Sequence, residues 1–315
     1  MSLSDLQVFS DFVYQSSTEM LDQQIALFNG ATRGGITLRS GANTGDFSDE
    51  AHWKKISGLV RRRNAYGSGA VGAATMEHLL DTSVKVAAGT PPVNIDPGML
   101  RWIQRSPEEA GVVIGQQMAG DTLQDMLNTA LMVFTNGVGQ VGAVVHDGTG
   151  SVGSLAALNQ GAGKFGDQSQ NIVAWVMHSK VMTDIYGTAL ANSERLFEFG
   201  NVNVMQDGFG RPLIQTDSPS LVTGLVHHVC GLTPGALLVD QNNDFDSNVQ
   251  TNNGDENIGR TYQAEWSYNV GLKGFRWDKA NGGSSPNDTA LGTATNWDRY
   301  ATSDKDLAGV IVNVD

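Results

Sequence analysis

Apolar residues recur at spacings of three and four from Ile114 through Met118, Leu123, Met126, Leu127 and Leu131 to Phe134, drawing one stripe along a helix. Both ends of this run are marked. Ser106 stands at a capping position, Pro107 fits the first helical turn, Glu109 occupies the capping-box site, and Asn136-Gly137 close the run. A helix of roughly 28 residues is about 42 Å long, more than the width of a small domain. Gly111, Gly115 and Gly120 interrupt it. Each weakens a helix by about 1 kcal/mol relative to alanine, a cost tolerated where another backbone passes close by. The pattern predicts a strut with something lying across it.

A second helical rhythm runs from Leu3 to Phe28 and stops at Asn29-Gly30, and no adjacent stretch covers its apolar side. It reads as a docking arm laid on another lobe or another chain; the plain alternative is a first core helix. From Gly34 to Gly89 the rhythm shortens. Strand-like runs at Gly35 to Arg39 and Ser83 to Ala87 bracket a polar, glycine-rich excursion, too long for a simple connection, which predicts an extended hairpin.

Beyond the strut, Val138 to about Asn257 alternates helix and strand signals. A short helix follows Ser154, Ile172 to Met177 reads as a buried strand, and Ser179 caps a helix through Tyr186. Pro212 to Thr216 and Ala236 to Val239 add strands, whereas Asp240 to Glu256 reads as a polar loop. Tyr262 to Trp277 and Val310 to Val312 alternate as strands, so the tail returns to a sheet. The fold class is α+β.

Composition narrows the functions. Glycine supplies 38 of 315 residues, about 12% against a usual level near 7%, which favours sheet and loop over bundle. A formal net charge of -13 argues against a chain whose main task is gripping phosphate backbones. With Cys230 as the single cysteine, internal disulfides and multi-thiolate zinc sites are excluded, and synthesis inside a cell fits. No signal-peptide pattern and no apolar run of membrane-spanning length occurs, which predicts a soluble, non-exported protein.

Catalytic signals are sparse. Gly137-Val138-Gly139-Gln140-Val141-Gly142 matches the dinucleotide fingerprint by letter, but it follows a helix and precedes a strand, the reverse of what the fingerprint needs. Gly161-Ala162-Gly163-Lys164-Phe165-Gly166 lacks the hydroxyl after the lysine that a phosphate loop uses for magnesium. Asp240 to Asp246 resembles the start of a calcium loop, yet Phe245 replaces the required glycine and Thr251 the bidentate glutamate. His227 and His228, adjacent on one strand, face opposite sides, and Cys230 reads as a small buried hydrophobe. No acid, base and nucleophile converge, so no cofactor, metal or catalytic residue is assigned. The competing enzymatic reading is a soluble dinucleotide-binding oxidoreductase using Gly137 to Gly142. Arg61, Arg62 and Arg63 form the densest basic run, either a contact with acidic surface on a neighbouring copy or a solvated turn.

The order of parts resembles the major capsid proteins of tailed bacteriophages, with the Hong Kong 97 type of fold. Local runs strengthen the likeness: Phe165-Gly166-Asp167, then Ile172 to Ser179, then Phe209-Gly210-Arg211-Pro212-Leu213-Ile214 are similar to the middle lobe of such coat proteins. Gly271 to Asp278, Asn296-Trp297-Asp298 and Asp306 to Val310 resemble their C-terminal part. The resemblance covers nearly the whole chain. It implies an N-terminal arm over 1–30, an extended loop over 31–81, a peripheral domain with a spine helix from 82–137 and 258–315, and an axial domain over 138–257.

It further implies hexamers and pentamers closing into an icosahedral head around double-stranded DNA, assembled in the cytoplasm of a bacterial host. The partners implied are copies of the chain itself, a separate scaffolding protein, a portal, and possible decoration or cement proteins; no membrane is involved, and no covalent cross-link chemistry matches. A tail or tube protein of the same virus is the structural alternative. On this reading Phe9, Phe12, Trp53 and Arg61 to Arg63 are expected at contacts between subunits. A negative chain does not hold DNA by counterion release, which leaves the genome free to slide.

Overall fold

A computed structural model describes residues 3–41, 43–53, 60–188, 195–199, 202–206, 210–253 and 258–315. It opens with α1 (Leu3–Ala31) and β1 (Ile36–Gly41), followed by a hairpin of β2 (Phe47–Trp53) and β3 (His78–Gly89). Next come β4 (Val93–Asn94), α2 (Pro97–Arg105) and α3 (Pro107–Gly139). The middle stretch holds β5 (Val145–Asp147), α4 (Leu155–Gly163), β6 (Ala174–Met177) and α5 (Ser179–Thr188). Then follow β7 (Arg195–Phe199), β8 (Val202–Gln206), β9 (Pro212–Gln215), β10 (Val222–Thr223) and β11 (Val226–Leu232). Four more strands, β12 (Leu237–Asn242), β13 (Asp246–Asn252), β14 (Gly259–Leu272) and β15 (Phe275–Trp277), precede the tail. The tail comprises α6 (Lys279–Gly282), α7 (Asp288–Leu291), β16 (Trp297–Arg299) and β17 (Gly309–Val314).

The long helix is where the apolar stripe places it, with Pro107 at its start and Glu108 and Glu109 in its first turn. At 33 residues it is about 50 Å long, and it runs past Asn136-Gly137 to Gly139. The expected cap is corrected: the Ser106 side chain makes no capping hydrogen bond, and the acidic first turn complements the helix dipole instead. Met126, Ala130, Leu131 and Phe134 are fully buried in a core that joins both large sheets through the helix. Burying such a side chain contributes about 1.5–3 kcal/mol, so the stripe alone anchors the strut.

What lies across it is α1 of the same chain. A Cβ on Gly111 would stand 2.7 Å from Phe12 Cβ and 3.0 Å from Phe9 O, and one on Gly115 would stand 2.8 Å from Val13 O. The two glycines are therefore the crossing point, as the sequence predicts. Gly120 is not, since a Cβ there meets nothing within 4 Å. Of the two docking surfaces expected for this arm, another lobe or another chain, α1 within the described chain takes the first. Phe9, Val13, Leu21, Ile25 and Phe28 are buried within one chain, because the side that no sequence neighbour covers is covered by α3 and the first sheet.

The first sheet has the order β1-β12-β14-β3-β2, with β13 and β4 paired along the remaining length of β14. A second sheet runs β5-β17-β11-β6-β9-β8-β7, with β10 on β11. Sheet membership crosses the boundaries expected at 257 and 258. The polar run from Asp240 onward is not a loop: it completes β12 and supplies β13, both in the first sheet, while β17 joins the second sheet beside β11. Alternating polar side chains face solvent while the backbone of β13 pairs with β14 from Asp246↔Glu265 to Asn252↔Gly259, so low hydropathy does not prevent a strand. The helix α2 carries no strong apolar run and is not foreseen by the sequence; Pro97 starts it and Ile103 buries it.

Candidate assembly surface

The β2–β3 hairpin pairs Phe47 with Val84 through to Trp53 with His78. Beyond it, every residue from 60 to 77 is exposed, with a turn at Asn64, where Gly67 N donates to Asn64 O at 3.2 Å and Tyr66 N to Asn64 Oδ1 at 3.0 Å. Arg61, Arg62 and Arg63 all lie in this excursion, with Val60 at 95% and Tyr66 at 99% exposure and Val71 and Met76 exposed beside them. Large apolar side chains standing this far out gain nothing from their own fold. The side chain of Trp53 lies outside the described residues; its backbone belongs to β2.

The base of the hairpin is held by charge. Asp49 accepts from Lys279 Nζ at 2.7 Å and from Thr82 Oγ1 at 2.7 Å, and these two donors hold its carboxyl below the ordinary value of 3.8. Arg39 bridges Glu50 at 3.5 Å and Asp240 in β12, while Tyr300 Oη donates to Asp81 Oδ2 at 3.2 Å. The exposed excursion thus projects from a fixed base.

A second feature lies under the first half of α3. There α2, β3, β4 and β14 leave a cavity of about 720 Å³ with an apolar floor that includes Phe9, Ile103, Met118 and Tyr262. Phe9, 1% exposed, meets the Tyr262 ring edge-on at 5.9 Å between centroids. Phe12 is half-buried over Gly111. Asp121 and Asp125, one turn apart on α3, and Asp288 from the start of α7 stand at the rim. Asp125 accepts from Tyr268 Oη at 2.8 Å, and Tyr268 is linked to Thr129 at 3.0 Å. Burial pushes the Asp125 carboxyl up, and the neighbouring Asp288 charge adds to the shift against the bond from Tyr268. The sequence reading missed this cavity. The i, i+4 carboxylates beside the apolar stripe were its one visible trace.

The positions singled out for chemistry do not assemble a reactive centre. Gly137 to Gly142 lies at the C-terminal end of α3, where carbonyls and the negative pole of the helix would repel a pyrophosphate. Gly161 to Gly166 likewise ends α4. His228 hydrogen-bonds Asn313 at 2.8 Å and Thr223 at 3.0 Å, while His227 is buried 5.2 Å from the His178 ring, so the two do face apart. Cys230 is fully buried, which pushes its thiol up and leaves it unreactive. Among the described residues no group of three His, Cys, Asp or Glu side chains could hold a metal, and no helix is long and apolar enough to cross a membrane.

Comparison with known proteins fits this picture of a limb projecting from a mixed helix-and-sheet body. No curated protein matches the sequence. A solved chain from Microbacterium phage Oxtober96 is similar at a TM-score of 0.50, with 10% identity over 90% of both chains. The capsid of Ralstonia phage GP4 is similar at 0.50, with 10% identity over 90% of this chain and 87% of that one. At such identities the likeness concerns fold, and it agrees with the α+β, spine-helix architecture of the Hong Kong 97 type. A family model described as Gp13-like, major capsid protein 13-like, matches residues 5–311. With nearly the full length matched, this chain belongs to the Gp13-like family of major capsid proteins and is a structural coat protein.

Proposed function

We propose that copies of this chain tile as hexamers and pentamers into an icosahedral phage head enclosing double-stranded DNA. The observation that supports it best is the 60–77 excursion, in which the arginines and the large apolar side chains are all exposed. In this reading α3, α1 and the first sheet form the peripheral part, the second sheet forms the axial part, and the hairpin with its excursion is the extended loop. Phe12, Trp53 and Arg61 to Arg63 lie at contacts between subunits, whereas Phe9, 1% exposed and packed against Tyr262 of its own chain, is withdrawn from that set. Limbs laid over neighbours bury area that a compact subunit cannot, which suits a shell under internal pressure. A separate scaffolding protein, a portal and decoration proteins are the further partners, and assembly takes place in the bacterial cytoplasm.

Electron microscopy and sedimentation of the purified chain test this. Closed shells or capsomers are expected, and the triple substitution of Arg61, Arg62 and Arg63 by serine abolishes them without unfolding the subunit. A compact monomer at high concentration, with assembly indifferent to the arginines, would overturn the proposal. Open tubes would favour a tail protein.

A further inference from the structure

We propose that the outer edge of β13 pairs antiparallel with the same edge of a second copy, across a two-fold axis at Val249, so that one sheet runs through both subunits. This rests on the coat-protein reading above and names the surface by which one ring of subunits meets the next.

β13 pairs with β14 from Asp246↔Glu265 to Asn252↔Gly259 with no shift of register. In an antiparallel pair every second residue turns its N–H and C=O away from the partner, so the far side of β13 carries a row of donors and acceptors. β1 covers the outer edge of β12 only as far as Gly41↔Asn242, and among the described residues no strand pairs the edge beyond it. The helix α1 meets a face of β13 and not its edge. Ser247 Oγ lies 2.8 Å from Ser10 Oγ, and Val249 packs against the small core around Phe9 and Tyr262.

Proteins guard exposed strand edges with lysines, prolines, bulges or very short strands. β13 has none of these: it is seven residues long, its register is unbroken, and Asp246 is its single charge. An edge of that length without a guard is a pairing surface.

The sequence of the strand names the occupant. A two-fold at Val249 sets Asp246 opposite Asn252, Ser247 opposite Thr251, Asn248 opposite Gln250, and Val249 opposite itself. Strand alternation keeps each opposed pair on one face. Ser247 and Val249 are half-buried on the α1 face, whereas Asn248 and Gln250 are exposed on the other. The exposed face thus gains amide pairs, and the inner face gains a hydroxyl pair and an apolar contact at the axis. The two Asp246 carboxylates stand at opposite ends of the new ladder, about 20 Å apart, beyond a Debye length of about 8 Å. Sliding the strands to centre on Asp246 would bring those charges together, so charge selects the full overlap. A ring closes through heterologous contacts, whereas contact between rings across a two-fold uses one patch twice, which is what a self-complementary edge provides.

Cysteine trapping reads both contact and register, because Cys230, the single native cysteine, is fully buried. In oxidised shells Val249→Cys is expected to link into dimers by itself. Asn248→Cys and Gln250→Cys should link when shells are assembled from a mixture of the two, and at least tenfold less when either is assembled alone. Shells that form without these links, or that link equally well unmixed, overturn the edge pairing and leave the coat-protein reading intact. A wild-type chain that forms no shell at all counts against the coat-protein reading itself and removes the pairing with it. Hydrogen exchange of the wild-type chain needs no variant and decides the matter should a cysteine variant not fold. Amides within 246–252 are expected to exchange at least tenfold more slowly in shells than in free subunits. Equal exchange refutes the pairing, and protection without the mixed-shell link assigns the edge to a different strand, which refutes it too.

Discussion

Lys279 Nζ lies 2.7 Å from Asp49 Oδ2 and 4.9 Å above the centroid of the Phe47 ring, so one ammonium in α6 ties down the edge strand β2. Both side chains of the ion pair are partly exposed, which limits its value to about 0–1 kcal/mol. Its importance is local: it fixes the angle at which the hairpin leaves the body.

Asp49→Asn should therefore leave global stability nearly unchanged and speed hydrogen exchange in the hairpin. Because folding holds the Asp49 carboxyl below 3.8, the stabilising contribution is complete above that value and is lost as pH falls through the lower folded value. Exchange in the wild-type hairpin should be flat from neutral pH to about 5 once corrected for intrinsic rates, and should approach that of the variant only in stronger acid. A wild-type hairpin that loosens between pH 7 and 6 would refute this.

The glycines of α3 separate by context. Gly115→Ala should destabilise by about 1–3 kcal/mol, because its Cβ meets Val13 O and Ser16 Oγ and forces α1 away. Gly120→Ala, exposed with nothing within 4 Å, should stabilise by about 0.5–1 kcal/mol. Denaturant unfolding of the two variants gives opposite signs if α1 crosses where described, and the same sign if it does not.

His227 gives the subunit a pH dependence of its own. Burial holds its pKa below the ordinary 6.5, with the charge of His178 and then Lys180 adding to the effect against Asp184. A histidine kept neutral by folding adds no penalty above 6.5, and stability falls as pH drops from there towards the folded value. His227→Asn should flatten the melting temperature between pH 7 and 5.5, measured on unassembled subunits. An equal slope in both proteins would remove His227 from the explanation.

Cys230 should resist thiol reagents in the folded chain and react fully only after unfolding. Its burial is complete and its thiolate is disfavoured. Labelling as fast in native buffer as in denaturant would contradict the packing of β11 between β6 and β17.

The triple arginine variant described above carries a second readout. Since Arg61, Arg62 and Arg63 are exposed, its subunit melting temperature should match that of the wild type. Loss of assembly with a lowered melting temperature would instead mean misfolding.

Much of this protein was written locally. The spacing of Ile114 to Phe134, the proline at 107 and the glycines at 111 and 115 determined a long strut crossed by another backbone, because helix period and close approach are properties of neighbouring residues. The excursion with its arginines was equally legible, since a polar run too long for a turn has few folded alternatives. Tertiary structure alone decided four things. It chose α1 of the same chain as the crossing element, it paired β13 with β14 despite a polar sequence, and it sent β17 to the second sheet. It also gathered Phe9, Asp125, Tyr262 and Asp288 around one cavity. These residues are as much as 279 positions apart (288 minus 9), and no local period encodes a meeting of that kind. Burial and strand pairing are settled by the whole chain at once, which is why the limb could be read from the sequence and the surface under the helix could not.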